Sequence, residues 1–138
     1  MFEHISYIRV RYGETDQMGY VYYGNYSLYY EQGRTEAIKS LGVSYKSLEE
    51  RGVMMPVAEM KVRYKGPAKY DELLTVVTKV TEMPSRSMHF NTAIYNEAHQ
   101  LINEGDTRLM FVKTDTRKPC SAPEELLEAL KPHFKLTV

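Results

Sequence analysis

Apolar and polar residues alternate along much of this chain, and the step between apolar positions changes once near the start. Residues 7–12 (Tyr-Ile-Arg-Val-Arg-Tyr) alternate, which predicts a strand with Ile8 and Val10 on one face. Residues 13–24 form a polar, aromatic loop holding three glycines. At Asn25 the period becomes helical, and the Asn25 side chain is of the kind that accepts from the first free N–H groups of a helix. Tyr26, Tyr30, Gly33, Ala37 and Leu41 recur on one stripe with Tyr29 and Ile38 beside it. Glu31, Arg34, Glu36 and Lys39 supply the polar remainder, and Gly42 is placed to end the helix. A second, short helix is expected over 44–50, stopping at Gly52.

Beyond Gly52 the period is two. Ala58, Met60, Val62 and Tyr64 alternate with Glu59, Lys61, Arg63 and Lys65, the pattern of a one-sided strand. Residues 73–80 are rich in β-branched side chains, and Met88, Phe90, Thr92 and Ile94 alternate with polar or small neighbours. Residues 96–100 read as a hairpin loop. Residues 101–114 read as a long strand interrupted by a bulge at 103–106. A last helix over 124–130 opens with Pro123 at its first position. Strand, long helix and four consecutive strands define an α+β protein with an antiparallel sheet and one principal helix laid on it. The absence of crossover helices between the later strands argues against a parallel sheet.

The length of 138 residues fits one domain spanning 1–138. Eighteen Lys and Arg balance eighteen Asp and Glu, with no basic run, which argues against a nucleic-acid partner. Cys120 is the single cysteine, so neither a disulfide nor a paired-cysteine metal or redox site is available within one chain. The longest apolar run, residues 53–58, contains Pro56 and is far too short for a membrane span. No secretory signal is visible at the N-terminus, so the expected location is the cytoplasm. What composition does single out is tyrosine. There are twelve Tyr and no Trp, and six of the twelve lie at 20, 22, 23, 26, 29 and 30.

That cluster coincides with the densest candidate chemistry. Asp16 stands on a glycine-bearing loop just before a helix start, where free N–H groups suit an anionic oxygen. A carboxylate there can attack a carbonyl or activate water while the N–H groups hold the developing oxyanion. It can equally do no more than shape a turn by accepting backbone N–H bonds. Tyr26, Tyr29 and Tyr30 fall at helical spacing and read as core or interface, whereas Tyr20, Tyr22 and Tyr23 precede the helix and suit a pocket wall. His4, His89, His99 and His133 are scattered without metal-ligand spacing. Arg63, Lys65, Lys69 and Arg86 are of the right kind to meet phosphates, or are the solvated side of strands and turns.

The Asp16 segment, with the strand–helix–four-strand order, resembles the hotdog-fold acyl-CoA thioesterases of the 4-hydroxybenzoyl-CoA thioesterase type. The resemblance rests on Asp16-x-x-Gly19-x-Val21-Tyr22-Tyr23-x-x-Tyr26 and on Tyr30-Glu31-x-x-Arg34-x-Glu36. It continues in Tyr64-x-x-Pro67-Ala68-x-Tyr70-Asp71-Glu72-Leu73 and Glu104-Gly105-Asp106-Thr107-Arg108, covering about residues 5 to 130. The sequence departs from the family pattern at Tyr23, where many relatives carry His, and at Gly24, where Pro or Ala is common.

The resemblance implies a hotdog fold, with a five-stranded antiparallel sheet wrapped around a long central helix. It implies hydrolysis of an acyl-CoA to free acid and CoA, without metal or cofactor. Asp16 becomes nucleophile or general base, and the backbone N–H of Tyr23 polarises the carbonyl. Gly19, Val21, Tyr22, Asn25 and Tyr26 fall around the substrate, and Arg63, Lys65 and Arg86 are carried over to the CoA phosphates. Glu31 is a competing carboxylate, because other hotdog branches place their acid on the central helix. The family forms homodimers or homotetramers with active sites at subunit interfaces. The rival readings are a thioesterase acting on acyl-carrier protein and a non-catalytic acyl-CoA-binding module. The paired acid and base of a hotdog hydratase have no obvious match.

Overall fold

Phe2–Arg9 forms the first strand, β1, in the computed structural model of the chain, which describes residues 1–134. It leads through 3-10 turns at Tyr12–Glu14 and Tyr23–Asn25 into the long helix α1, Tyr26–Ser40, and then into α2, Tyr45–Glu50. A two-residue strand β2 (Val53–Met54) precedes β3 (Val57–Tyr64), β4 (Leu73–Val80), β5 (Ser87–Tyr95) and β6 (Leu101–Met110). A short β7 (Val112–Lys113) pairs with β2, and α3 (Glu124–Leu130) follows. The main sheet has five strands in the order β1-β4-β5-β6-β3, each antiparallel to its neighbours. Among the described residues no helix is long and apolar enough to cross a membrane.

The period-two pattern sets which face of the sheet is buried. Leu74, Val76, Thr78 and Val80 of β4, and Met88, Phe90, Thr92 and Ile94 of β5, turn toward α1 and are buried. The helix answers with Tyr26, Tyr29, Tyr30, Ala37 and Ile38, all buried. Two glycines let helix and sheet approach closely. A Cβ on Gly33 would fall 2.9 Å from both Thr78 Oγ1 and Val76 Cγ1, and one on Gly105 would fall 2.6 Å from the Tyr30 oxygen. Tyr30 occupies the space that Gly105 leaves, and its hydroxyl donates to Asn103 Oδ1.

Several expectations are corrected by packing. The first strand lies at Phe2–Arg9 rather than 7–12, because it pairs along its whole length with β4, from Phe2↔Val80 to Arg9↔Leu73. Its start is hard to see in sequence because His4 and Ser6 occupy half-buried inward positions. Ile8 and Val10 are buried as expected. β6 runs unbroken through 103–106, where Asn103, Gly105 and Thr107 face the helix in place of apolar residues. The irregularities fall instead between Ile94 and Tyr95 and between Val57 and Glu59. Asn25 does not cap by accepting. Its own backbone is already helical after the 3-10 turn, and its Nδ2 donates to the Glu14 carbonyl at 2.9 Å. Pro123 is the cap residue of α3 rather than its first helical position. Gly42 and Gly52 end their helices in the left-handed region, at φ 84° and 88°. Arg34 leaves the polar face and is only 5% exposed.

Candidate active site

The loop between β1 and α1 is organised by Glu14. Glu14 Oε1 accepts from the Arg11 N–H at 2.8 Å and from the Tyr29 hydroxyl at 3.0 Å. The Glu14 carbonyl accepts from the Tyr22 N–H and from Asn25 Nδ2, both at 2.9 Å. Burial, together with the bond to Glu14, pushes the Tyr29 phenol well above its ordinary range, so it stays a donor. Sequence reasoning missed Glu14. Its sole signal was proximity to Asp16, since nothing in a loop pattern shows which carboxylate turns inward.

Asp16 sits where this loop closes on itself. Its N–H donates to the Tyr20 carbonyl at 2.8 Å, and Oδ1 accepts from the N–H groups of Met18 at 2.9 Å and Tyr20 at 3.3 Å. Gly19, at φ 79°, makes the reversal possible. The turn-shaping role of Asp16 is therefore real. The same residue also lines a cleft of about 410 Å³ with Val21, Tyr23, Tyr26, Tyr64 and Lys65. Val21 is anchored below by its N–H bond to the Ala68 carbonyl, 2.8 Å. Gly19 lies on the other side of Asp16, lining an open depression with Tyr12 and Tyr70.

Tyr23 is the first residue of the 3-10 turn that runs into α1, so the turn itself leaves its N–H without a partner. Its carbonyl accepts from the Tyr64 hydroxyl at 3.3 Å. Aromatic rings build the cleft wall. Tyr26 and Tyr64 meet edge-to-face at 5.7 Å, and Tyr22 packs on Tyr23 at 4.6 Å. Burial pushes the Tyr26 phenol up to about 12. A Cβ on Gly24 would lie 2.7 Å from the Tyr22 ring, so glycine at this position gives that ring its room. The cleft thus joins an acidic residue, the residue that opens the helix start and an aromatic wall, and a carboxylate with a helix-start N–H is equipment for acyl transfer at a carbonyl.

Other expected site residues lie elsewhere. Arg63 points to the sheet face away from α1, where its guanidinium bonds Glu104 at 3.2 Å and Asp106 at 3.1 Å. Two carboxylates already satisfy it, and it does not line the cleft. The Arg86 carbonyl accepts from the Phe111 N–H, while the Lys65 N–H donates to the Ile102 carbonyl at the opposite end of the sheet. The strand rise puts those ends roughly 30 Å apart. Lys65 does line the cleft, and with Lys69 it borders a neighbouring depression. Glu31 is exposed on α1 and lines a different cavity, beside Arg34 and Tyr45. Tyr22 and Asn25 support the wall from outside the cleft.

Residues 10–130 match the family described as the thioesterase-like superfamily. The chain belongs to the thioesterase-like superfamily. An acyl-CoA thioester hydrolase, YbgC of Escherichia coli O157:H7, is 32% identical over 124 residues, covering 90% of this chain and 92% of that one. The structure of a DHNA-CoA thioesterase from Staphylococcus aureus superposes with a TM-score of 0.90 at 34% identity, covering 99% of this chain and 98% of that one. A 4-hydroxybenzoyl CoA thioesterase variant bound to 4-hydroxybenzoyl CoA shares the fold, with a TM-score of 0.84 at 20% identity over 94% of this chain and 99% of that one. As a superfamily member the chain has the hotdog fold, with α1 as the helix that the sheet wraps.

Proposed function

We propose that this thioesterase-superfamily protein hydrolyses an acyl-CoA to the free acid and CoA, with Asp16 and the Tyr23 N–H at the reacting carbonyl. What supports the reading is that Asp16 and Tyr23, the residue that opens the turn into α1, line one aromatic cleft. In the nucleophilic form, an Asp16 oxygen bonds to the thioester carbon, the C–S bond breaks, and CoA leaves as thiolate. Water then opens the mixed anhydride, releasing the acid and restoring the carboxylate. In the general-base form, Asp16 takes a proton from the attacking water and passes it to the departing sulfur. In both, the Tyr23 N–H holds the oxyanion, an interaction of the kind whose removal typically costs about 100- to 1000-fold in rate. Lys65 is the cleft's own cation and the better candidate for a CoA phosphate than Arg63 or Arg86.

The working form in this reading is a cytoplasmic homodimer or homotetramer. Support comes from β3, which leaves one edge of the sheet unpaired, with Val57 and Tyr64 exposed along it. Release of free thiol from short, long and aromatic acyl-CoAs, by wild type and Asp16→Asn, tests the assignment. The variant is expected to fold normally and to lose turnover by orders of magnitude. Equal turnover by the two proteins removes Asp16 from the chemistry.

A further inference from the structure

The second half of α1 carries a group that the hydrolytic cleft does not use. Arg34 is 5% exposed, and among the described residues neither its Nε nor its Nη1 has a hydrogen-bond partner. The hydroxyl of Tyr45, the first residue of α2, is likewise buried and unpartnered. A buried guanidinium calls for an anionic oxygen, because desolvation of an unpaired cation is expensive. Both residues line a cavity of about 220 Å³ between α1, α2, the link from β2 to β3 and the end of β6, and its walls include Met55 and Leu109. It shares no lining residue with the cleft at Asp16.

We propose that Arg34 and Tyr45 form a binding site for a small monocarboxylate. The guanidinium is a planar fork of donors matched to a carboxylate, and the Tyr45 hydroxyl adds a further donor beside it. Charge around the cavity selects among anions. Glu31 and Glu49, both exposed, also line it, so a phosphate or sulfate dianion meets twice the repulsion that a monocarboxylate meets. Met55 and Leu109 give the acid's carbon chain an apolar surface, and the small volume favours short or single-ring acids. A free carboxylic acid is a product of thioester hydrolysis, so the site has the chemistry for the product to act back on the protein. The binding itself does not depend on Asp16 chemistry.

Thermal unfolding and titration calorimetry with sodium acetate, butyrate and benzoate, at fixed ionic strength and pH 8, where phosphate is mainly the dianion, test the site against chloride and phosphate. Wild type and Asp16→Asn are both expected to show a saturable rise in Tm with a carboxylate and little with phosphate. Arg34→Met removes buried donors that have no hydrogen-bond partner, so its Tm without added acid is expected to rise and the carboxylate-dependent increase to vanish. Tyr45→Phe is expected to bind about tenfold more weakly. If Arg34→Met fails to fold, Arg34→Lys, which keeps the charge but not the fork, is expected to bind at least about tenfold more weakly. No saturable rise in wild type overturns the proposal. So does a rise that survives in the Arg34 variants, one matched by phosphate, or one lost in Asp16→Asn. None of these readings uses thiol release, so they stand or fall separately from the hydrolytic assignment.

Discussion

The Tyr29 hydroxyl donates to Glu14 Oε1 at 3.0 Å, joining the buried face of α1 to the loop that carries Asp16. Through its carbonyl, Glu14 also holds the Tyr22 N–H and Asn25 Nδ2, so one residue ties the Asp16 loop to the start of α1. Tyr29→Phe keeps the ring and removes the bond. The expected cost is about 1–2 kcal/mol of stability, because a half-buried carboxylate loses a donor. Turnover is expected to fall with it, since Asp16 and the Tyr23 N–H are positioned by this loop. Urea denaturation alongside thiol-release kinetics checks the pair, and unchanged values in both would show the contact to be idle.

Gly19 supplies the backbone freedom that closes the Asp16 turn. Its φ of 79° is unfavourable for a residue with a side chain, although the space around it is open. Gly19→Ala is therefore a conformational test rather than a steric one. It is expected to cost about 1–2 kcal/mol in stability. Thiol release should fall more steeply than stability predicts, because the strain is released by moving Asp16. A variant with wild-type kinetics and a lowered urea midpoint would separate the turn from the chemistry.

Much of the fold was legible in the chain because β4, β5 and α1 announce their buried faces through period alone. Leu74, Val76 and Val80, or Phe90 and Ile94, need no context to be placed. The pattern fails where an inward position is polar for a reason that lies elsewhere in the chain. Asn103 and Gly105 look like a break in a strand until Tyr30 is seen lying against both. Arg34 follows the same logic, since i,i+4 spacing from Tyr30 places it on the buried stripe while its charge suggests the surface. Asp16 and Tyr23 could be singled out together because their motif is local, and both line one cleft. The ion pairs of Arg63 were not legible, because strand parity shows that it faces away from Met60 and Val62 but not that Glu104 and Asp106 wait across the pair.

The cluster around Asp106 makes stability depend on acid. Burial on its own would raise the Asp106 carboxyl, but bonds from Asn91 and Arg63, with the charges of His89 and Arg63, outweigh it and hold the carboxyl below its ordinary value. Between that lowered value and the ordinary one, the unfolded chain binds more protons than the folded one, so stability rises with pH across this window. The contribution is present at neutral pH and lost as pH falls through the folded value. Asp106→Asn is expected to be less stable than wild type at pH 7 and to converge on it in acid. Urea midpoints taken from pH 7 down to pH 3 check the sign, and a gap that widens on acidification contradicts it.

Lys65 and Arg63 sit two residues apart on β3 and its exit, yet they face different tasks. Lys65 lines the Asp16 cleft, while Arg63 is locked to Glu104 and Asp106 on the other face of the sheet. If Lys65 meets a CoA phosphate, Lys65→Ala raises KM for acyl-CoA several-fold and leaves kcat nearly unchanged, because ground and transition states lose the same contact. The effect should shrink at high salt, which screens an exposed charge pair. A pantetheine thioester lacking the nucleotide should not register the substitution at all. Arg63→Ala should behave oppositely, with an unchanged KM and a lowered urea midpoint, because it leaves two carboxylates without their cation. Equal KM defects in the two variants, or a Lys65→Ala defect that persists on the pantetheine substrate, would remove the phosphate role from Lys65.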